Sequence, residues 1–444
     1  MLLILLFGLV ASALAVNIPQ PKLTHLSTGD IQLSLDDIPG AEQLDVAYSF
    51  GESNHQGKFH QNTDSRWYHR NHEAKYNGKD KIKYRIMVAL DGKTIETNGK
   101  LTPGETGVAV LPPQKVRRGT VVFRDDFNGA FDPAGWNYEV SMYGGYNWEV
   151  QAYVPDARNI FTRNGHLFIK PTLTTDHPNY NDGNLNSATM DLTALYGYCT
   201  NADRYGCIRE GRNGILPPVM SGKIKSKKTI RFGKVEARCR IPRGDWIWPA
   251  IWMLPRDSVY GGWPRSGEID MMESRGNTVA RDGSGHNHGV NEVGHLHWDQ
   301  MPVIIDSVRR TGDLDGDWSH AMHTYRLDWT IDHIQVFVDN RHIMNIPQSR
   351  KVFGSLEDLV DPIFGAVEPK AAPFDKQFYL ILNVAIAGTN GFFPDNWTYD
   401  QQKPWFSNSP TELQDFWNAR FQWLQTWHGD DVAMECDYVE MTQY

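Results

Sequence analysis

The sequence predicts an all-β protein of β-sandwich type, a small unit followed by a larger one. Three features carry this. Short runs alternating apolar and polar side chains recur along the whole chain. Gly-, Asn- and Asp-rich turns punctuate them, and only one stretch has sustained helical periodicity.

Residues 1–15 begin the chain with a single apolar run, LLILLFGLVASALA, ending in Ala13-Leu14-Ala15. The run is too short to span a bilayer comfortably and reads as a signal peptide cleaved after Ala15, although it has no basic start. Residues 16–103 form the small unit. IQLSLDDI, LDVAYSF and IKYRIMVAL each alternate as a half-buried strand does. Residues 104–119 carry Pro and Gly and read as a linker. From 120 to 444 the strands are TVVFRDDF, GHLFIKPT, KVEARCRI, AIWMLP, TYRLDWT, IQVFVDN, FYLILNVAIAG and VAMECDYVEM. The helical stretch is Pro410–Trp427, where Leu413, Trp417, Phe421 and Leu424 recur along one face. Four Cys suit an oxidising compartment. Cys199 and Cys207 close a short loop and are expected to pair. Cys239 and Cys436, both in strand-like runs, either pair or stay separate buried thiols. Asn396-Trp397-Thr398 is a glycosylation sequon.

Composition narrows the partners. With 44 basic against 53 acidic residues, nothing basic accumulates, which argues against nucleic acid and anionic membrane. A neutral substrate is expected. Fifteen Trp and eighteen Tyr stand out. Flat aromatic faces with polar edges suit sugar rings, although such residues also fill cores.

The chemistry is concentrated in Trp263-Pro-Arg-Ser-Gly-Glu-Ile-Asp-Met-Met-Glu273. On a strand, Glu268 and Asp270 share a face. Glu273, five residues beyond Glu268, would fall on the opposite face of a regular strand. A β-bulge at Met271-Met272 absorbs one residue and returns it. The glutamate Cα atoms would then lie roughly 13 Å apart, close enough for long side chains to approach the ~5 Å of a retaining glycosidase. One carboxylate would attack and one acid would protonate the leaving oxygen, with Asp270 between them to orient Glu268 and keep Glu273 protonated.

These motifs resemble glycoside hydrolase family 16, laminarinase branch, and particularly the invertebrate β-1,3-glucanases and β-glucan recognition proteins. GEIDMMESRGN (267–277), WPAIWMLP (248–255), GHLHW (294–298), MHTYRLDWT (322–330) and FYLILNVAIAGTNGFFPD (378–395) carry the resemblance. It implies a curved β-jelly-roll catalytic domain over 120–444, with Glu268 as nucleophile, Glu273 as acid/base and Asp270 as helper acid. Trp248, Trp252 and Trp263 are expected along a sugar-binding cleft. Asn147 and Gln151 should face it, and His297 should lie near the reaction centre. The first unit resembles carbohydrate-binding module family 39, an immunoglobulin-like β-sandwich, with Trp67 either its glucan contact or a tryptophan of its core. The expected partner is a laminarin-like β-1,3-glucan, and the expected protein a secreted endo-glucanase, monomeric and needing no cofactor for catalysis. Family members often carry a structural calcium, which the resemblance would place at Asp126 and Asp437. The competing implication is a secreted recognition protein that binds β-glucan without cutting it. Recognition proteins of that kind lack the glutamates, and all three acids are present here.

Two other clusters imitate metal sites. HNHGVNEVGHLH (286–297) begins like a cupin, but Asp299 stands where glycine is expected. GDLDGDW (312–318) opens like an EF-hand, but Trp318 and Thr324 replace the required glycine and glutamate. Both are expected to be polar loops.

Overall fold

The computed structural model describes residues 119–290, 317–347 and 371–444, the strands at 292–293, 295–297 and 310–311, and the strands between residues 21 and 101. The chain divides into two compact units, Met1–Arg117 and Arg118–Tyr444. The signal-like run at 1–15 and all but the last residue of the linker at 104–119 lie outside the described residues.

In the first unit the described strands form two antiparallel four-stranded sheets. One orders Lys22–His25, Ile31–Leu35, Trp67–Asn71 and His60–Gln61, and the other Ser53–Lys58, Ala41–Phe50, Ile82–Leu90 and Lys93–Leu101. Alternation supplies the core: Leu33, Leu35, Leu44, Val46, Ile86 and Val88 are buried together. Trp67 belongs to this core, at 6% exposure. It is therefore not the glucan contact that the sequence suggested, because its ring faces apolar neighbours instead of solvent.

The second unit is a β-jelly-roll sandwich. Six strands of one sheet matter for the site: β1 (Trp136–Tyr138), β2 (Lys223–Ile230), β3 (Ile247–Pro255), β4 (Glu268–Glu273), β5 (His295–His297) and β6 (Phe378–Ile386). Their order across the sheet is β1-β2-β6-β3-β4-β5. The facing sheet orders Ile160–Arg163, His166–Ile169, Met434–Gln443, Gly233–Arg240, His323–Trp329, His333–Val338 and Arg341–Pro347, with Thr120–Asp125 also paired to Met434–Gln443. Along Gly233–Arg240, Val235, Ala237 and Cys239 are fully buried and alternate with half-buried Glu236, Arg238 and Arg240. Leu380, Leu382, Val384 and Ile386 of β6 meet them from the other sheet in one core. Burying such side chains contributes roughly 1.5–3 kcal/mol each before chain entropy is charged against it.

Both cysteine pairs are bonded. Cys199–Cys207 closes its short loop, and Cys239–Cys436 joins adjacent strands whose Cα atoms lie 4.0 Å apart. The predicted helix is broken. It runs Glu412–Asn418, bends at Ala419, and resumes at Arg420–Trp423 with a short 3-10 turn after it. The bend changes the face presented to the core. Phe416, Trp417 and Trp423 are buried, while Phe421, expected inside, is 75% exposed.

Candidate active site

The register between β3 and β4 determines where the acids point. Ala250 pairs with Glu273, Ile251 with Met272, Trp252 with Asp270 and Met253 with Ile269, and the register shifts between Ile251 and Trp252. Met271 is thus the extra residue of a β-bulge. Cross-strand partners share a face. Ala250 and Trp252 are two apart, so Asp270 and Glu273 project from the same side of the sheet, and Glu268 joins them by alternation. Ile251, Met253, Ile269 and Met272 point the other way and are fully buried in the sandwich core. Gly267 makes the turn into β4 at φ +84°. A Cβ there would lie 2.8 Å from the Phe374 ring, so the entry to Glu268 requires glycine.

Two indoles hold the glutamates. Trp263, 65% exposed, donates from Nε1 to Glu268 Oε2 at 3.1 Å. Trp248 donates from Nε1 to Glu273 Oε1 at 2.9 Å. Both glutamates are half-buried, and Asp270 between them is buried. Trp248 differs from its expected part as a sugar platform. It is 7% exposed, and its ring lies flat on Phe392 at a centroid distance of 3.8 Å. Its face is already covered, so its available chemistry is the N–H directed at Glu273. Beyond Phe392, the Arg275 guanidinium sits 4.0 Å over the ring and bonds the Phe392 carbonyl.

Trp252 stays half-buried on the open face, with Nε1 donating to Asn383 Oδ1 at 2.6 Å and the Lys223 ammonium 4.7 Å over its ring. Asn383 Nδ2 donates to the Tyr153 hydroxyl, and that hydroxyl donates to Glu149. Asn147 and Gln151 also donate to Glu149, at 3.1 and 2.7 Å. Asn147 is half-buried. Gln151, expected to face the cleft, is instead a buried brace: its Oε1 accepts the Ile386 backbone N–H at 2.7 Å, and 1% of the residue is exposed. His297 pairs in register with Glu268; its side chain lies outside the described residues.

Behind this network, burial opposes ionisation of Glu139, but Lys223 and Lys225 beside it prevail and hold its carboxyl down at about 2. Burial and the nearby carboxylates push the Tyr379 phenol up to about 12. Glu149, Tyr153, Lys223 and Asn383 were not singled out from the sequence. They lie on strands or turns whose alternation shows a face but not its neighbours.

The calcium ligands expected at Asp126 and Asp437 are otherwise engaged. Arg124 pairs with Asp126 at 2.6 Å and Arg238 with Asp437 at 2.5 Å, so an arginine already balances each carboxylate. His288 in the histidine-rich loop is buried, bonded to Asp282 and stacked on Trp397. Asp317 pairs with Arg243 and His320. Among the described residues, no group of three His, Cys, Asp or Glu is arranged to hold a metal.

A family model described as "Glycosyl hydrolases family 16" matches residues 170–357. A "Beta-1,3-glucan-binding protein" of Penaeus monodon is 40% identical over 72% of this chain and 89% of its own length. The chain belongs to glycosyl hydrolase family 16. A "Glucan endo-1,3-beta-glucosidase" of Cryptopygus antarcticus is 29% identical, over 65% of this chain and 87% of its own. Among solved structures, the laminarinase from Rhodothermus marinus aligns with a TM-score of 0.47 at 21% identity, over 73% of this chain and 97% of that one. Glycosidases of family 16 need no cofactor for catalysis.

Proposed function

We propose that this family 16 protein is a secreted endo-β-1,3-glucanase acting by double displacement. The observation that carries the proposal is the bulged register that brings Glu268, Asp270 and Glu273 to one face. Glu268, oriented by the Trp263 N–H, attacks the anomeric carbon while Glu273 protonates the departing glycosidic oxygen. Glu273, left as carboxylate, then deprotonates water, which hydrolyses the glycosyl-enzyme with net retention. Buried Asp270, between the two, adds negative potential that favours the protonated form of Glu273 before attack. Trp252 and Trp263 offer indole surface for glucose rings. No step requires a metal.

The Cryptopygus antarcticus glucosidase supports the cleavage and the linkage. The two disulfides support an extracellular setting, and no helix among the described residues is long and apolar enough to cross a membrane. The first unit is assigned as an accessory β-sandwich module. A second reading, a glucan-recognition protein without activity, draws on the name of the Penaeus monodon relative. Reducing-end release from laminarin separates the two. The wild-type protein is expected to release ends and Glu268→Gln to release none while still binding laminarin. Wild-type protein that binds laminarin without releasing ends would establish the recognition reading.

A further inference from the structure

Beyond the strands of the cleft, two loops place exposed aromatic side chains together. Residues 144–148 present Tyr146 and Trp148, which are 55% and 46% exposed, and residues 203–205 present Tyr205 at 79%. Arg204 joins them, its guanidinium 4.4 Å over the Trp148 ring and 5.1 Å over the Tyr146 ring. The Tyr146 hydroxyl donates to Asp203 at 2.5 Å.

This surface is built at a conformational cost. Tyr146, Trp148, Arg204 and Tyr205 all adopt left-handed backbone conformations, with φ of 63°, 57°, 50° and 61°. For bulky residues such a conformation is strained and persists only where surroundings enforce it. The enforcement is visible. Cys199–Cys207 closes the second loop, Met142 N donates to Gly206 O, and Arg209 bonds the carbonyls of Met142 and Arg204. In the first loop, Asn147 and Glu149 both donate backbone N–H groups to Gly144 O. Gly145 is equally constrained, since a Cβ there would meet the Glu149 carboxylate at 1.9 Å.

The loop is continuous with the cleft. Asn147, between the two aromatic residues, bonds Glu149, which links through Tyr153 and Asn383 to Trp252. Its carbonyl accepts from Thr389 N, and a Cβ on Gly388 would stand 3.1 Å from that carbonyl and 3.7 Å from the Trp248 ring. The loop therefore lies beside Trp248 at one end of β3.

We propose that Tyr146 and Trp148, braced by Arg204, form an outer subsite that takes a glucosyl residue of a β-1,3-glucan chain several units from the scissile bond. This rests on the glucanase reading of the cleft. The exposed parts of the two rings receive the axial C–H groups of the sugar, while Arg204 stacks over the rings and holds them and Asp203, at the Tyr146 hydroxyl, is placed to accept from a sugar hydroxyl. Pre-setting the rings in strained conformations removes the ordering cost on binding.

The test is calorimetric binding of laminariheptaose and laminaritriose to the full chain carrying Glu268→Gln, which prevents turnover. Adding Trp148→Ala is expected to reduce the heptaose-to-triose affinity ratio about tenfold, and Trp148→Tyr, which keeps a flat ring, to restore most of it. An unchanged ratio in a folded Trp148→Ala protein overturns the subsite while leaving the cleft reading intact. Failure of the parent to bind either oligosaccharide overturns the cleft reading and the subsite with it.

Discussion

Trp248 donates its indole N–H to Glu273 at 2.9 Å while its ring lies on Phe392, with an interplanar angle of 6°. A residue that reads in sequence as a sugar platform therefore serves Glu273, the proposed general acid. Stacked aromatic pairs contribute about 0.5–1.5 kcal/mol beyond their buried area. Phe392→Ala is expected to loosen Trp248 and lower kcat on laminarin about tenfold, with a smaller change in KM. Trp248→Phe keeps the stack but removes the N–H, and should shift the acidic or basic limb of the kcat profile. Steady-state kinetics across pH checks both, and unchanged profiles in both variants would remove Trp248 from the acid's environment.

The bulge has its own test. Deleting Met271 leaves Glu268, Asp270 and the following glutamate in strict alternation, so all three still share a face. The variant is expected to fold with a similar melting temperature and to lose activity through altered spacing, about 10–100-fold. Inserting one alanine after Met272 instead turns the glutamate toward the core, where an unpaired carboxylate costs several kcal/mol. Melting curves and laminarin turnover distinguish the two, and an inserted variant as stable and active as wild type would contradict the register.

Asp245 carries a pH signature of the opposite sign to Glu139. Burial, with Asp400 adding to it, pushes the Asp245 carboxyl up to about 7, while a hydrogen bond from Asn277 works against this. In the unfolded chain the group titrates near 3.9. The folded state holds the proton more tightly, so its contribution is fully present below about pH 4 and is lost as pH rises toward about 7. The loss is on the order of a few kcal/mol, at about 1.4 per pH unit. Asp245→Asn should flatten that fall in urea-unfolding free energies measured from pH 4 to 8. An identical slope in variant and wild type would refute it. Glu139, held down at about 2 by Lys223 and Lys225 against the effect of burial, instead keeps its contribution above about pH 4.5 and loses it as pH falls from there toward about 2.

The two disulfides should differ in weight. Chain entropy makes the bridge of sequence separation 197, Cys239–Cys436, worth about 5 kcal/mol, against about 2.5 for the separation of 8 at Cys199–Cys207. Calorimetry of the Cys239→Ala/Cys436→Ala pair should therefore show the larger destabilisation. An equal fall in both double variants would count against the entropic account.

Much of the fold was legible because alternation is a local property. IKYRIMVAL became the strand Ile82–Leu90 and KVEARCRI the strand Gly233–Arg240. β2 escaped, since KIKSKKTI carries four lysines and reads as a polar run. Its Lys223 and Lys225 are placed on the cleft-side face only by pairing with Asn383 and Ile381. The bulge was readable from the odd spacing of the acids, because a strand of period two leaves no other way to align them. The surroundings of the tryptophans were not readable. Phe392, stacked on Trp248, and Arg124, paired with Asp126, are distant or local neighbours whose choice of partner depends on tertiary packing. Phe421 was assigned to the wrong side for the same reason, and for that reason too the sequence left Trp67 open between surface and core.

The most direct test of the central claim is proton NMR of laminarin during the first minutes after adding the wild-type protein. Double displacement by Glu268 and Glu273 requires the new reducing ends to appear first as the β-anomer and then mutarotate. New ends appearing first as the α-anomer, or no new ends at all, would contradict it.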